Sequence, residues 1–128
     1  MLDKETTYWL KSAEHDLDVA EALYEKGKYD WCLFIGHLVI EKVLKAFYVK
    51  DNQELPPKIH KLDVIAAKTK LALTLKEVDF LREINQFYIE ARYPDERLTF
   101  YKLCTKEFTE KYFRAIKDLY QCLLKKLN

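Results

Sequence analysis

The stretch Asp30-Trp31-Cys32-Leu33-Phe34-Ile35-Gly36-His37-Leu38-Val39-Ile40-Glu41-Lys42-Val43-Leu44-Lys45-Ala46-Phe47-Tyr48-Val49 decides how this chain folds. Projected at about 100° per residue, Ile35, Ala46, Val39, Cys32, Val43, Gly36, Phe47, Ile40, Leu33 and Leu44 fill one half of a helical circumference. Half of this helix is therefore core and has to be covered by other helices. The other half carries His37, Glu41, Lys45 and Lys42 interleaved with Trp31, Phe34, Leu38 and Tyr48, richer in large apolar groups than a freely solvated face requires. Two readings account for it: neighbouring helices of the same bundle cover these rings, or they form a dimer contact.

The segments on either side are helical too. Asp3 to Lys26 places Leu10, Ala13, Leu17, Ala20 and Tyr24 on one face, and Gly27 after a terminal Lys is a C-cap signal. Asp30 can cap the second helix, which runs to about Val49. A short third helix follows Pro56-Pro57, from about Lys61 to Lys70. Thr74 with Glu77 forms a capping box for a fourth, expected to end near Arg92 because Pro94 disfavours helical geometry at Tyr93. The fifth starts near Thr105, with Phe108, Tyr112, Ala115, Leu119 and Cys122 at helical spacing. The expected fold is all-α: an antiparallel up-and-down bundle of four main helices plus one short helix, spanning residues 1–128 as one domain.

Composition supports this and narrows function. Two Gly and three Pro beside 34% charged residues are too few turn formers for a strand-rich chain. With 22 basic and 21 acidic side chains the net charge is +1, so binding to nucleic acid or membrane has to be local rather than driven by a global field. Cys32, Cys104 and Cys122 are odd in number and lack CxxC spacing, and no apolar N-terminal segment resembles a signal peptide, which points to reduced thiols in a cytoplasm. No apolar run approaches the roughly 18 residues that span a bilayer.

The chemistry concentrates in Tyr88-Ile89-Glu90-Ala91-Arg92-Tyr93-Pro94-Asp95. On a continuous fourth helix Arg92 falls between Leu81 and Val78, in line with Asn85 and close to Tyr88, within the arc of Ile84, Phe80 and Phe87. A cation directed inward needs a carboxylate, an anion or a wet cleft. In a structural reading Arg92 pairs with Glu41. In a functional one its planar fork binds phosphate in a cleft. Arg92, Tyr93 and Arg97 together offer two cations and a stacking ring, suited to a nucleotide or a single-stranded base. Pro94 and Asp95 have a mundane role available, as a helix stop and a turn-fixing carboxylate. The candidate binding residues are Arg92, Tyr93, Arg97 and Lys45; His37, Glu41, Lys42, Asn85 and Asp95 form a candidate structural or cleft-lining polar cluster.

The order Trp9-Leu10-Lys11, Ala13-Glu14, Asp16-Leu17, then Tyr29-Asp30-Trp31, Glu41-Lys42 with Leu44-Lys45-Ala46, Pro57 with His60 and Leu62, and Ala91-Arg92-Tyr93-Pro94-Asp95 resembles the HEPN domain family across almost the whole chain. The resemblance implies the helical bundle above, a homodimer, and a link to nucleotide binding or to a separate small nucleotidyltransferase. Some members are metal-independent ribonucleases and toxins of toxin–antitoxin pairs, with an Arg near the end of the fourth main helix and a His shortly after it. Arg92 matches the arginine. The histidine is missing: His15, His37 and His60 all lie upstream. Strand cleavage by a 2′-hydroxyl needs a proton acceptor and a proton donor, and an arginine stays charged. The expectation is a non-catalytic nucleotide- or RNA-binding module. The alternative is a degenerate ribonuclease using His37, which shares a stripe with Glu41, or a partner's residue. His60 precedes the third helix and can cap or orient it.

No metal or cofactor is expected. None of the histidines has Glu three residues before it, as a di-iron bundle requires. Gly27 and Gly36 alone cannot build a phosphate loop or dinucleotide fingerprint. No Ser sits on an evident strand-to-helix turn of a nucleophilic triad.

Overall fold

The computed structural model describes residues 3–127, which form six α-helices and two single 3-10 turns, with no strand among the described residues. The helices are α1 (Lys4–Glu25), α2 (Tyr29–Asn52), α3 (Leu62–Ala67), α4 (Leu75–Ile84), α5 (Pro94–Leu103) and α6 (Lys106–Lys125). Asn85–Phe87 and Ile89–Ala91 are the 3-10 turns between α4 and α5.

The α1–α2 hairpin closes where the sequence signals it. Gly27 takes φ +74°, a left-handed geometry that any Cβ would strain, and the N–H of Lys28 reaches back to the Leu23 carbonyl at 2.8 Å. So short a connection lays α2 antiparallel on α1. α2 is the central helix: Leu33, Ile40, Val43 and Leu44 are fully buried, packed with Ala13 and Ala20 of α1 and with Ile116 and Leu123 of α6 in one core. At Gly36 the α6 side approaches closely, since a Cβ there would lie 3.1 Å from Ile116 Cδ1. The outer half of α2 is mostly covered by its own chain. Phe34 is 3% exposed, Leu38 and Tyr48 are half-buried, and Trp31 stays 40% exposed.

The α4 capping box forms as expected: Glu77 N–H donates to Thr74 Oγ1 (3.1 Å) and Thr74 N–H to Glu77 Oε1 (2.9 Å). That backbone hydrogen bond holds the Glu77 carboxyl below the usual carboxylate range. Thr74→Ala is expected to lower stability by about 1 kcal/mol, read as a shift of the urea midpoint.

Three local expectations need correction. Asp30 does not cap the second helix: α2 begins at Tyr29 after Lys28, with no side-chain cap, and Asp30 lies in its first turn. The fourth helix does not continue to Arg92: α4 stops at Ile84 and the chain proceeds through the 3-10 turns. Asn85 explains the break. Its side chain accepts the Leu62 N–H (2.8 Å) and donates to Asp63 Oδ1 (2.8 Å), tying this corner to the start of α3. Nor is Pro94 only a stop. It is the first residue of α5, a helix absent from the sequence reading. Pro is favourable at that position because its missing N–H would be unpaired there anyway and its φ suits the helix. Tyr93 N–H donates to Glu96 Oε1 at 3.4 Å, assisting the start. Phe100 anchors α5 inward with its ring 5.5 Å from that of Phe87. Its outer face leaves Leu98 and Tyr101 exposed.

Candidate functional site

The 3-10 turns change where Arg92 points. With about three residues per turn instead of 3.6, a helical projection from α4 no longer applies after Ile84. Arg92 sits on extended backbone (φ −104°, ψ 149°) with its side chain 30% exposed. Its Nε–H donates to the Gln86 carbonyl at 3.0 Å, and Nη1 lies 3.7 Å from Glu96 Oε2. The pairing with Glu41 is not formed. Arg92 clamps the turn to the start of α5 beside a cavity of about 190 Å³ lined by Gln86, Glu96, Thr99, Phe100 and Leu103. That volume is below the roughly 300 Å³ at which small-molecule pockets begin, and Glu96 places an acid inside it. It is too small to enclose a whole nucleotide.

The other candidates divide into two groups. One lies on the surface where α5 crosses the start of α2. The Arg97 guanidinium sits over the Trp31 ring, 5.5 Å from its centroid, and Tyr93 is 75% exposed. A cation stacks on a part-exposed indole, with an exposed phenol one helical turn before it in the chain. Asp95 stands exposed in the first turn of α5, where a carboxylate suits the helix dipole; its carbonyl accepts from Thr99 Oγ1 at 3.0 Å.

The second group is internal and centres on Glu41, which is 5% exposed. Lys45 Nζ donates to Glu41 Oε2 at 2.9 Å, and His60 Nδ1 lies 3.1 Å from both carboxylate oxygens. His37 Nδ1 is 3.8 Å from Oε1. Lys45 is thus a buried partner of Glu41, stacked over Trp9, rather than a cation offered to a ligand. Lys42 stands outside this cluster and pairs with Asp16 of α1 at 2.6 Å. Asn85 belongs to the α3 corner described above.

His37 is fully buried and neither ring nitrogen makes a well-formed hydrogen bond. Burial pushes its pKa down to about 4, against the opposing pull of the Glu41 carboxylate. It is sealed and neutral, so it cannot reach a substrate proton. Burial likewise pushes the Cys32 and Cys104 thiols up to about 12, which keeps them unreactive. Among the described residues no group of His, Cys, Asp and Glu is arranged to hold a metal ion, and no helix is long and apolar enough to cross a membrane.

Sequence reasoning missed three participants. His60 meets Glu41 across 19 positions, a separation invisible to any local pattern. Tyr88 stacks on His60 at 4.4 Å and on His37 at 5.4 Å. Trp31 had a signal, as a large ring on the outer half of the second helix, but its partner Arg97 lies on the unforeseen α5.

Comparison with known proteins bears on the whole chain. The family model described as HEPN domain matches residues 6–127. A similar solved structure, the crystal structure of TT1696 from Thermus thermophilus, superposes with a TM-score of 0.82 over 98% of this chain and 100% of that one. At 20% identity the likeness is one of fold. A search of the curated proteins found no match.

Proposed function

Because this chain belongs to the HEPN domain family, we propose that it is a non-catalytic helical module that binds a nucleotide or RNA through the Trp31–Arg97–Tyr93 surface. The observation that carries this reading is the Arg97 guanidinium over a 40%-exposed Trp31, with Tyr93 exposed on the same short segment. A base can stack on such a platform whatever its identity, while Arg97 supplies the charge that a phosphate seeks. The near-neutral chain fits a local contact rather than a broad basic surface. Arg92 supports the platform by fixing the start of α5. In this reading the protein works in the cytoplasm as a homodimer beside a separate nucleotidyltransferase, in keeping with its family.

Arg92 engages a backbone carbonyl and Glu96, and His37 is enclosed, so neither supplies the acid and base that strand cleavage needs.

The test is binding of ATP and of a short single-stranded RNA to Arg97→Ala and Tyr93→Ala, followed by anisotropy or calorimetry. Each substitution is expected to cost about 1–3 kcal/mol of binding, so roughly fivefold to 150-fold in affinity, with the thermal midpoint nearly unchanged. Wild-type affinity in both variants would overturn the reading. Sedimentation equilibrium tests the dimer, and an RNA cleavage assay with and without metal is expected to show no turnover.

A further inference from the structure

Two helix-to-helix connections, the α1–α2 turn at Gly27 and the α5–α6 turn at Cys104 and Thr105, border one cavity of about 330 Å³. Its remaining walls are Tyr29, Asp30, Tyr101 and Lys102. That volume lies within the range of small-molecule pockets, which begin at roughly 300 Å³. The Arg92 cavity does not reach that size.

The walls combine two rings with two opposite charges. Tyr29 is half-buried and its ring is set by Tyr24, 5.7 Å away, while Tyr101 is 61% exposed. Asp30 is half-buried and makes no capping hydrogen bond, although it lies in the first turn of α2. Burial, and after it the Asp30 charge, pushes the Cys104 thiol up to about 12, so the carboxylate lies close to the Cys104 wall. Neither Asp30 nor Lys102 has an ion-pair partner among the described residues, and they do not pair with each other. A carboxylate partly withdrawn from water and left without a cation favours a ligand that brings one.

We propose that this cavity binds a free amino acid with a flat apolar side chain: Asp30 takes the α-ammonium, Lys102 the α-carboxylate, and Tyr29 and Tyr101 flank the side chain. Only a ligand that carries both charges answers both residues. A phosphate compound would meet Lys102 but set its charge against Asp30, and a simple amine would meet Asp30 but face Lys102. The two phenol rings supply the flat apolar contact that an aromatic side chain packs against. The site is separate from the Trp31–Arg97 surface and does not depend on that reading.

Calorimetry of the full chain with L-phenylalanine, its methyl ester and its N-acetyl derivative tests this. The ester lacks the carboxylate and the N-acetyl compound lacks the ammonium. L-Phenylalanine is expected to bind at least about tenfold more tightly than either, since each derivative forfeits one charge-assisted contact. Lys102→Met, at an exposed position, is expected to weaken L-phenylalanine by about tenfold and leave the ester unchanged. Asp30→Asn is expected to weaken L-phenylalanine to a similar extent and leave the N-acetyl derivative unchanged, with an unaltered thermal midpoint showing that the variant folds. Arg97→Ala, which tests the nucleotide surface, is expected to leave L-phenylalanine binding intact. Three compounds bound alike, or no heat from L-phenylalanine at millimolar concentration, would overturn the site. So would a Lys102→Met protein that loses ATP as strongly as L-phenylalanine, because the lysine would then belong to the nucleotide surface.

Discussion

Lys45→Met is expected to destabilise the protein by about 3–5 kcal/mol, because it leaves the buried Glu41 carboxylate without its closest cation. Glu41 Oε2 receives Lys45 Nζ at 2.9 Å, and both side chains are nearly inaccessible, at 6% and 8% exposed. Water cannot replace the lysine there. His60 remains within 3.1 Å of the carboxylate but does not carry the fixed charge of the lysine. The double variant Glu41→Leu, Lys45→Met removes both charges and is expected to recover most of the stability, since a well-packed apolar pair often equals a buried ion pair. Urea denaturation of the three proteins checks this. A single variant as stable as the wild type would mean that Glu41 is not dependent on Lys45.

Acid is expected to destabilise the protein through His37 before the carboxylates respond. In the unfolded chain this imidazole titrates near 6.5; folded, burial lowers it to about 4. At pH 7.5 it is neutral in both states and its contribution is constant. As pH falls through 6.5 the unfolded chain takes up a proton that the folded protein refuses, and stability declines until pH approaches 4. The full loss is about 3 kcal/mol, with about 2 kcal/mol of it between pH 7.5 and pH 5. His37→Leu is expected to flatten the profile in that window. A slope that persists unchanged in His37→Leu would assign it to other groups. The hydrogen-bonded carboxyls of Asp63 and Glu77, held below their ordinary values, release their stabilisation only at lower pH.

Both effects arise in a cluster that sequence reading can see only in part. His37, Glu41 and Lys45 share one helical stripe, so their proximity follows from spacing alone. Whether they face water is not a property of the stripe. The 53–61 segment brings His60 onto Glu41, and the 85–91 corner brings Tyr88 onto His60, by packing between elements far apart in the chain. One of the two sequence readings pairs Glu41 with Arg92, because a straight fourth helix turns that arginine inward. The side-chain bonds of Asn85 to the start of α3 end the α-helix at Ile84, and every projection beyond that point rotates away.

Pro94 marks the same limit at close range. Proline ends one helix and begins another with equal ease, since its missing N–H is harmless in a first turn. The Pro94–Leu103 segment has a weak apolar stripe: Phe100 faces the core and Leu98, Tyr101 and Leu103 face out. Its helicity is supported by packing on Phe87, which periodicity does not report.

The order of residues alone dictates the all-α class, the α1–α2 hairpin around Gly27, the central burial of α2 and the absence of a histidine after Arg92. These follow from side-chain period, capping chemistry and residue identity, all local quantities. Packing between helices is what sets Arg92 as the clamp of α5 to Gln86 and Glu96, gives Glu41 to Lys45 and His60, and lays Arg97 over Trp31. Those partners depend on how the helices meet, and a corner of two 3-10 turns is enough to redirect every side chain that follows it.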